Sequence, residues 1–240
     1  MTMIAPTSDE IDSLDRAARL AGGSRIRTIF DVGAHAGDTV TQLRRIAADA
    51  KIYAFDADPR SVKALSKRFA HDPSVFVYGK AVTNESGWTE FYLNEYSATS
   101  SILPRPRSAR RYYPTFASKV DRTRVAAVRL DEFAADLRID EIDLLKIDIQ
   151  GGELRAFQGA EGLIREGRIN VIHAEVYFIP HYEGSPMVWD QALFLAERGY
   201  SMFGLYNAVW AANGQMRFAD AIFVSPRIRA EVIDAATEES

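Results

Sequence analysis

The sequence predicts an α/β fold in which a mostly parallel sheet ends in an antiparallel hairpin. Three observations carry this expectation. Short apolar runs alternate with helical stretches over residues 28–78, and strand–helix–strand spacing of this kind makes successive strands parallel. The same alternation resumes over 142–198. Finally, two strand-like runs at 200–206 and 220–224 are joined by a segment holding Asn213-Gly214, a strong hairpin-turn signal.

The elements follow in order. Residues 8–21 read as a helix: Ser8 can cap it, Ile11, Leu14, Ala17 and Ala18 form one stripe, and Gly22-Gly23 stop it. Thr28 to Gly33 is a short strand, followed by a helix over about 38–48. Lys51 to Phe55 is the second strand, and Pro59 opens the next helix as a favoured first-turn residue. Val75 to Tyr78 is the third strand. The pattern then breaks over 84–130, where 88–93 and 124–130 read as edge strands. Between them, 94–123 is rich in Ser, Pro, Tyr and Arg and has no period, which marks a functional loop or lid. After it come a strand at 142–148, a helix at 152–166, a strand at 169–176 and a helix at about 186–198. A last helix begins at Pro226 and frays toward the end.

Composition bounds the function. A chain of 240 residues with 47% hydrophobic and 26% charged residues is long enough to bury a core without staples. It has no Cys, which excludes disulfides, thiolate metal sites and a cysteine nucleophile. The net charge of -4 argues against a whole-surface nucleic-acid binder. No apolar run approaches the ~18 residues of a membrane span, and no signal-peptide core is visible. The expected location is cytoplasmic.

Chemistry concentrates at strand ends. Asp31-Val32-Gly33-Ala34-His35-Ala36-Gly37 closes the first strand, and its glycines permit a tight turn and close approach to a ligand. It is not G-x-G-x-x-G, because the second glycine falls at 37 rather than 35. Asp56 follows the second strand, 23 residues beyond Gly33, where a carboxylate can accept from both hydroxyls of a ribose. Together they predict a nucleoside-cofactor site. The third element is Lys146 to Glu153: Lys146 and Asp148 share one face of their strand, and Asp148 sits at its carboxyl end. Lys146 reads as an interior ion-pair partner, and Glu153 as a partner of the helix dipole.

These residues resemble a known family. The D-x-G-x-x-x-G loop with an acid closing the second strand is the pattern of class I S-adenosylmethionine (SAM)-dependent methyltransferases. More specifically, the chain resembles the FkbM-type methyltransferases through FDVGAHAGD at 30–38, IYAFDADP at 52–59, DLLKIDIQGGELRAFQGA at 143–160 and ADAIFV at 219–224. Asp56 stands where Glu is commoner, and Gln150-Gly151-Gly152 replaces the more usual Glu-Gly-Ala, so position 150 receives no role. The resemblance implies one domain over 1–240 with a Rossmann-like, doubly wound, seven-stranded sheet, and methyl transfer from SAM to a hydroxyl of a sugar or small molecule. It implies that Gly33, Ala34, His35 and Gly37 cradle the cofactor's amino-acid end and that Asp31 reaches its ammonium. Asp56 would then hold the ribose, Ala81 and Val82 would flank the adenine, and Asp148 would lie near the sulfonium.

Acceptor chemistry needs a proton acceptor and a positioned hydroxyl. The candidate catalytic residues are Asp148, His173 and Glu175, the last two on one face of an otherwise apolar strand. His181, in the aromatic stretch 177–182, is expected in an exposed loop with a possible substrate contact. No clustered ligand spacing is visible, so no metal is assigned. The basic loop holds Arg105, Arg107, Arg110, Arg111, Lys119, Arg122 and Arg124, interleaved with Tyr112, Tyr113 and Phe116. Such a composition suits anionic groups and stacked rings. Ser100, Ser101, Arg110, Arg111 and Tyr112 are therefore expected to meet the acceptor. The rival readings are a nucleic-acid or protein methyltransferase using that loop, a NAD-type oxidoreductase, and a non-catalytic protein that keeps the fold.

Overall fold

The computed structural model describes residues 12–106 and 120–235. Its strands are β1 (Thr28–Val32), β2 (Lys51–Asp56), β3 (Val75–Gly79), β4 (Ala81–Val82), β5 (Gly87–Asn94), β6 (Val120–Val128), β7 (Ile142–Ile147), β8 (Ile169–Tyr177), β9 (Ser201–Trp210) and β10 (Met216–Val224). Its helices are α1 (Ser13–Leu20), α2 (Asp38–Ile46), α3 (Pro59–Arg68), α4 (Leu130–Asp136), α5 (Glu153–Gly159), α6 (Glu161–Arg165), α7 (Val188–Ala196) and the short α8 (Pro226–Ile228). Among the described residues no helix is long and apolar enough to cross a membrane.

Seven strands form one sheet in the order β3-β2-β1-β7-β8-β10-β9. All neighbours are parallel except at β10, which runs antiparallel to both β8 and β9. The expected doubly wound sheet with a terminal hairpin is therefore present. Gly214, at φ +82°, turns that hairpin.

Period-2 alternation divides the core into two layers. Phe30, Val32, Phe55, Leu145, Ile147 and Ile172 point to one face and pack against α4–α7, through Phe133, Phe157, Leu163 and Leu195. Ile29, Ile52, Ala54, Leu144 and Val171 point to the other, against α1, α2 and α3, through Leu14, Ala17, Leu43 and Leu65.

Several elements differ from the sequence-based expectation. The first helix starts at Ser13, where Asp12 caps it by accepting from Leu14 N at 3.0 Å; Ser8 and Ile11 lie outside the described residues. The stretch 88–93 does not edge the main sheet. β5 pairs with β6, and with β4 they form a separate three-stranded sheet. Because β6 already begins at Val120, the interruption loses its last residues to a strand. It also ends earlier than expected, because Leu130 opens α4, with Asp131 and Glu132 in its first turn favouring the helix dipole. Phe133 of that helix sits edge-on to Phe55 and Tyr78, both at 4.8 Å between centroids. The helix expected over 152–166 breaks at Ala160 into α5 and α6.

The sheet's order reverses between β1 and β7, and there the two strand ends nearly touch. Gly33 has φ +81°, and a Cβ on it would lie 1.8 Å from the carbonyl oxygen of Asp148. Both the backbone sign and the space therefore demand glycine. Gly33→Ala is expected to destabilise the protein by about 2–5 kcal/mol, from strained φ and steric overlap together. Urea unfolding checks this; an unchanged midpoint would mean that the strand ends can separate at no cost.

Candidate active site

A cleft opens at the carboxyl ends of β1, β2 and β7, the place where open α/β sheets bind ligands. Gly33, Ala34, His35, Asp56, Ala81, Val82, Ser100 and Asp148 all line it, together with Thr39, Phe55, Asp58, Lys80, Phe91, Ser97, Ile102, Lys146 and Gln150.

Asp56 organises one wall. Its Oδ2 accepts from His35 N and its Oδ1 from Asp58 N, both at 2.8 Å. His35 takes φ +47° to present that N–H. Burial raises the Asp56 pKa, and the two main-chain donors partly offset it. Each carboxylate oxygen keeps capacity for a further hydrogen bond.

A roof closes over this wall, built from the start of the interruption. His35 Nε2 meets Ser97 Oγ at 2.8 Å. Ser100 Oγ donates to Asp58 Oδ2 at 3.1 Å, and Arg60 donates to Asn94 O at 2.8 Å. Ser101 Oγ donates to Gln150 O at 2.8 Å. Ser100 and Ser101 are both buried, and their hydroxyls fasten the roof to Asp58 and to the Gln150 carbonyl; of the two, Ser100 also lines the cleft. Arg110, Arg111 and Tyr112 lie outside the described residues.

Asp31 and Gly37 do not line the cleft. Asp31 is fully buried; Thr39 donates to its Oδ2, and Lys146 Nζ stands 3.3 Å from its Oδ1, an ion pair without a well-aligned hydrogen bond. Burial alone would lower the Lys146 pKa, but Asp31 and then Asp148 outweigh it and raise it. Lys146 also donates to Gly33 O at 2.9 Å, so the expected interior ion pair braces the glycine turn. Gly37 faces the other way, and a Cβ there would come within 2.4 Å of the Phe69 ring.

Behind Asp148, which lines the cleft, lies an acidic cluster. Asp148, Glu153 and Glu175 place one carboxylate oxygen each within 4.8 Å of one another, a cluster that sequence spacing did not reveal. Glu153 is completely buried. Its Oε1 accepts from Ile149 N at 2.9 Å and Gly151 N at 3.2 Å, so it braces the turn after β7 in addition to opening α5. Its Oε2 is buried without a hydrogen bond. Burial, opposed by the main-chain donors and aided by the Asp148 charge, pushes the Glu153 pKa up to about 7. Burial, then Asp148 and Glu153, raise the Glu175 pKa well above the usual carboxylate range, against a hydrogen bond from the Tyr177 hydroxyl.

His173 is not part of this cluster. Its Nε2 lies 2.8 Å from Ser13 Oγ, which in turn donates to Asp220 Oδ2 at 2.9 Å. Although it shares a strand face with Glu175, α1 covers it, and it does not line the cleft. That ring nitrogen is thus engaged by α1 and not turned to the cleft. Burial is also the main reason its pKa is lowered. His181 is likewise not an exposed loop residue. It is 3% exposed and packs against Tyr177 and Phe218, with centroids at 4.9 and 5.6 Å. Burial, then Arg217 and Arg105, lower its pKa to about 4. Gln150 and Tyr182, which sequence reasoning left without roles, do enter the site's hydrogen-bond network: Tyr182 OH meets Gln150 Oε1 at 2.7 Å.

Comparison with known proteins adds three findings. The family model described as the methyltransferase FkbM domain matches residues 31–202. The chain is 21% identical over 164 residues to the 2-O-methyltransferase NoeI of Sinorhizobium fredii, covering 65% of each protein; it thus spans less than two thirds of that relative's length. Among solved structures, a SAM-dependent methyltransferase from Aquifex aeolicus aligns over 92% of this chain and 94% of its own, at 15% identity and a TM-score of 0.48. An rRNA methylase from Streptococcus thermophilus aligns over 89% and 93%, at 11% identity and a TM-score of 0.49. At these scores neither structure bears on substrate.

The pH dependence of stability follows from Glu153. Its folded pKa of about 7 lies above the ordinary value of 4.5, so the folded state holds the proton more tightly. That stabilising contribution is complete below pH 4.5 and is lost as pH rises through 7, by up to about 3 kcal/mol. Glu153→Gln keeps an acceptor for the two main-chain donors and removes the charge. It is expected to gain stability relative to wild type as pH rises from 4.5 to 8. Chemical denaturation at several pH values checks this, and parallel curves would place the titration elsewhere.

Proposed function

The chain belongs to the methyltransferase FkbM domain family, and on that premise we propose that it transfers a methyl group from SAM to a hydroxyl oxygen of a sugar or small molecule. One observation carries the reading: one cleft at the switch point of the sheet is lined both by a ribose-type acceptor, Asp56, and by a second carboxylate, Asp148. The 2-O-methyltransferase relative supports oxygen as the acceptor atom.

The residues present fit the cofactor. Gly33 lines the cleft without a side chain, leaving main chain to meet the amino-acid end. Asp56 retains acceptor capacity for both ribose hydroxyls, and Ala81, Val82, Phe91 and Ile102 offer apolar surface to a flat base. Asp31 acts through its ion pair, by setting Lys146 against the Gly33 carbonyl, rather than by direct contact.

SAM, when bound, supplies a methyl group already activated for displacement. The chain's share of the work is alignment and proton removal. Asp148 Oδ1 is occupied by Gln150 at 2.8 Å, so its second oxygen is the one assigned to the acceptor's proton. The acceptor's proton would pass to this oxygen of Asp148, while the cofactor would supply the methyl group, its sulfur–carbon bond breaking as the new carbon–oxygen bond forms and S-adenosylhomocysteine leaving. Glu175 stands behind Asp148 and supports it. Acceptor recognition is assigned to the basic loop, including Arg110, Arg111 and Tyr112. At its edges, Arg122 lies over the Tyr92 ring and Arg105 over Tyr182, at 5.0 and 5.6 Å.

Two measurements test this. Asp56→Ala is expected to weaken SAM binding about 10–150-fold by calorimetry, the worth of a charge-assisted hydrogen-bond set. Asp56→Asn, which keeps an acceptor oxygen, should lose less; equal affinity in all three proteins would remove the ribose assignment. Asp148→Asn is expected to slow methyl transfer on the order of 10²–10⁴-fold while SAM binding holds. The assay is S-adenosylhomocysteine release with a panel of sugars and phenols, and undiminished turnover would strip Asp148 of the proton-accepting role.

A further inference from the structure

Gln150 occupies the turn after β7 with φ +59°, and both polar atoms of its side chain are engaged. Its Nε2 donates to Asp148 Oδ1 at 2.8 Å and to Glu175 Oε2 at 3.1 Å. Its Oε1 accepts from the Tyr182 hydroxyl at 2.7 Å. An amide nitrogen carries two hydrogens, so one side chain serves both carboxylates and is then exhausted. The orientation is determined by its neighbours: turned over, the amide would set its oxygen against two carboxylates. The main chain is held as well, because the Gln150 carbonyl accepts from Ser101 Oγ at 2.8 Å.

We propose that Gln150 is a positioning residue of the candidate active site, whose single amide ties Asp148 to Glu175 and holds Asp148 in the orientation from which it takes the acceptor's proton. The functional half of this statement rests on the reading of Asp148 given above; the tie itself does not.

The need for such a tie comes from the charges around it. Three carboxylates converge within 4.8 Å, and the nearest ammonium, Lys146, is committed to Asp31 and the Gly33 carbonyl. The titratable groups facing the Asp148–Glu175 pair are Lys146 on β7, Glu153 from α5, His173 and Tyr177 on β8, Tyr182 beyond it and Asp220 across from Glu175 on β10. Of the donors among these, the Tyr177 hydroxyl reaches only Glu175. Without the amide, the two carboxyls would be joined only by a proton held between them, or would separate. A neutral donor solves this without adding a charge, which a carboxylate at this position could do only while protonated.

Two variants separate the tie from mere turn geometry. Gln150→Met keeps the length and removes the donor. Gln150→Glu keeps the length and an oxygen for Tyr182, and offers a hydrogen only at acid pH. The readout is ¹³C NMR titration of protein labelled at its Asp and Glu carboxyls, assigned with Asp148→Asn and Glu175→Gln. In Gln150→Met the titration of the pair is expected to move up by about one pH unit, while S-adenosylhomocysteine affinity stays within about threefold of wild type. In Gln150→Glu the introduced carboxyl offers one hydrogen to two carboxylates while protonated and none once ionised, so the titration of the pair is expected to rise above wild type as in Gln150→Met. Should Gln150→Met not fold, this second variant decides alone. Titrations that superimpose on wild type in the folded variants would overturn the proposal, as would lost cofactor affinity with an unmoved titration. Because the readout needs no acceptor, a wrong assignment of Asp148 as base would appear separately, as full turnover in Asp148→Asn.

Discussion

The meeting of β1 and β7 at Gly33 is the constraint on which the site depends. A side chain at that position would collide with the Asp148 carbonyl, so the two strand ends converge only because none exists. Around this contact the chain spends its strongest local interactions: Asp148 N donates to Val32 O at 3.0 Å, and Lys146 reaches across to the Gly33 carbonyl. One wall of the cleft is thereby set against the other through the main chain. Asp56 and Asp148 then line one space from two strand ends, without any loop having to bring them together.

Electrostatics sorts the polar residues of the sheet's inner face into two groups. Toward the middle of the strands, Asp31 and Lys146 neutralise each other, while His173 is satisfied by Ser13 and kept uncharged by burial. One residue pair further along β7 and β8, Asp148 and Glu175 are joined by the Gln150 amide, and a phenol donates to Glu175 alone. Neighbouring carboxyls raise one another's hold on a proton, and such perturbed groups concentrate where chemistry requires an acid or a base. Depth along the strand thus separates residues that hold the sheet from residues suited to proton transfer.

Much of this was legible in the sequence where the signal was periodic or terminal. The seven strands of the main sheet were each visible as short apolar runs, and Gly33, Asp56 and Asp148 stood out because they follow strand ends directly. What escaped was of two kinds. Leu130–Asp136 was partly absorbed into a strand because Val125 to Leu130 is continuously apolar-rich, and only the acidic pair Asp131-Glu132 marked a helix start. The side-chain network escaped entirely: Tyr182–Gln150, Ser97–His35 and Ser13–His173 join residues between 32 and 160 positions apart, and no local pattern encodes such pairs. The surroundings of His173 and His181 were missed for the same reason, since their neighbours come from α1 and β10.

The roof over the cleft has a consequence for the order in which the molecule can come apart. Its ties to the main sheet and α3 are side-chain hydrogen bonds involving His35, Asp58, Arg60 and the Gln150 carbonyl, and none belongs to a ladder of the seven-stranded sheet. Detaching it breaks a handful of bonds that water can replace and leaves both core layers buried. Segments held in this way open at a free energy well below that of global unfolding. Amide exchange in residues 95–102 is therefore governed by a local latch, while the strand ends beneath exchange only when the whole sheet is lost. Traffic into the cleft and survival of the fold are set by different bonds, so each is free to change without the other.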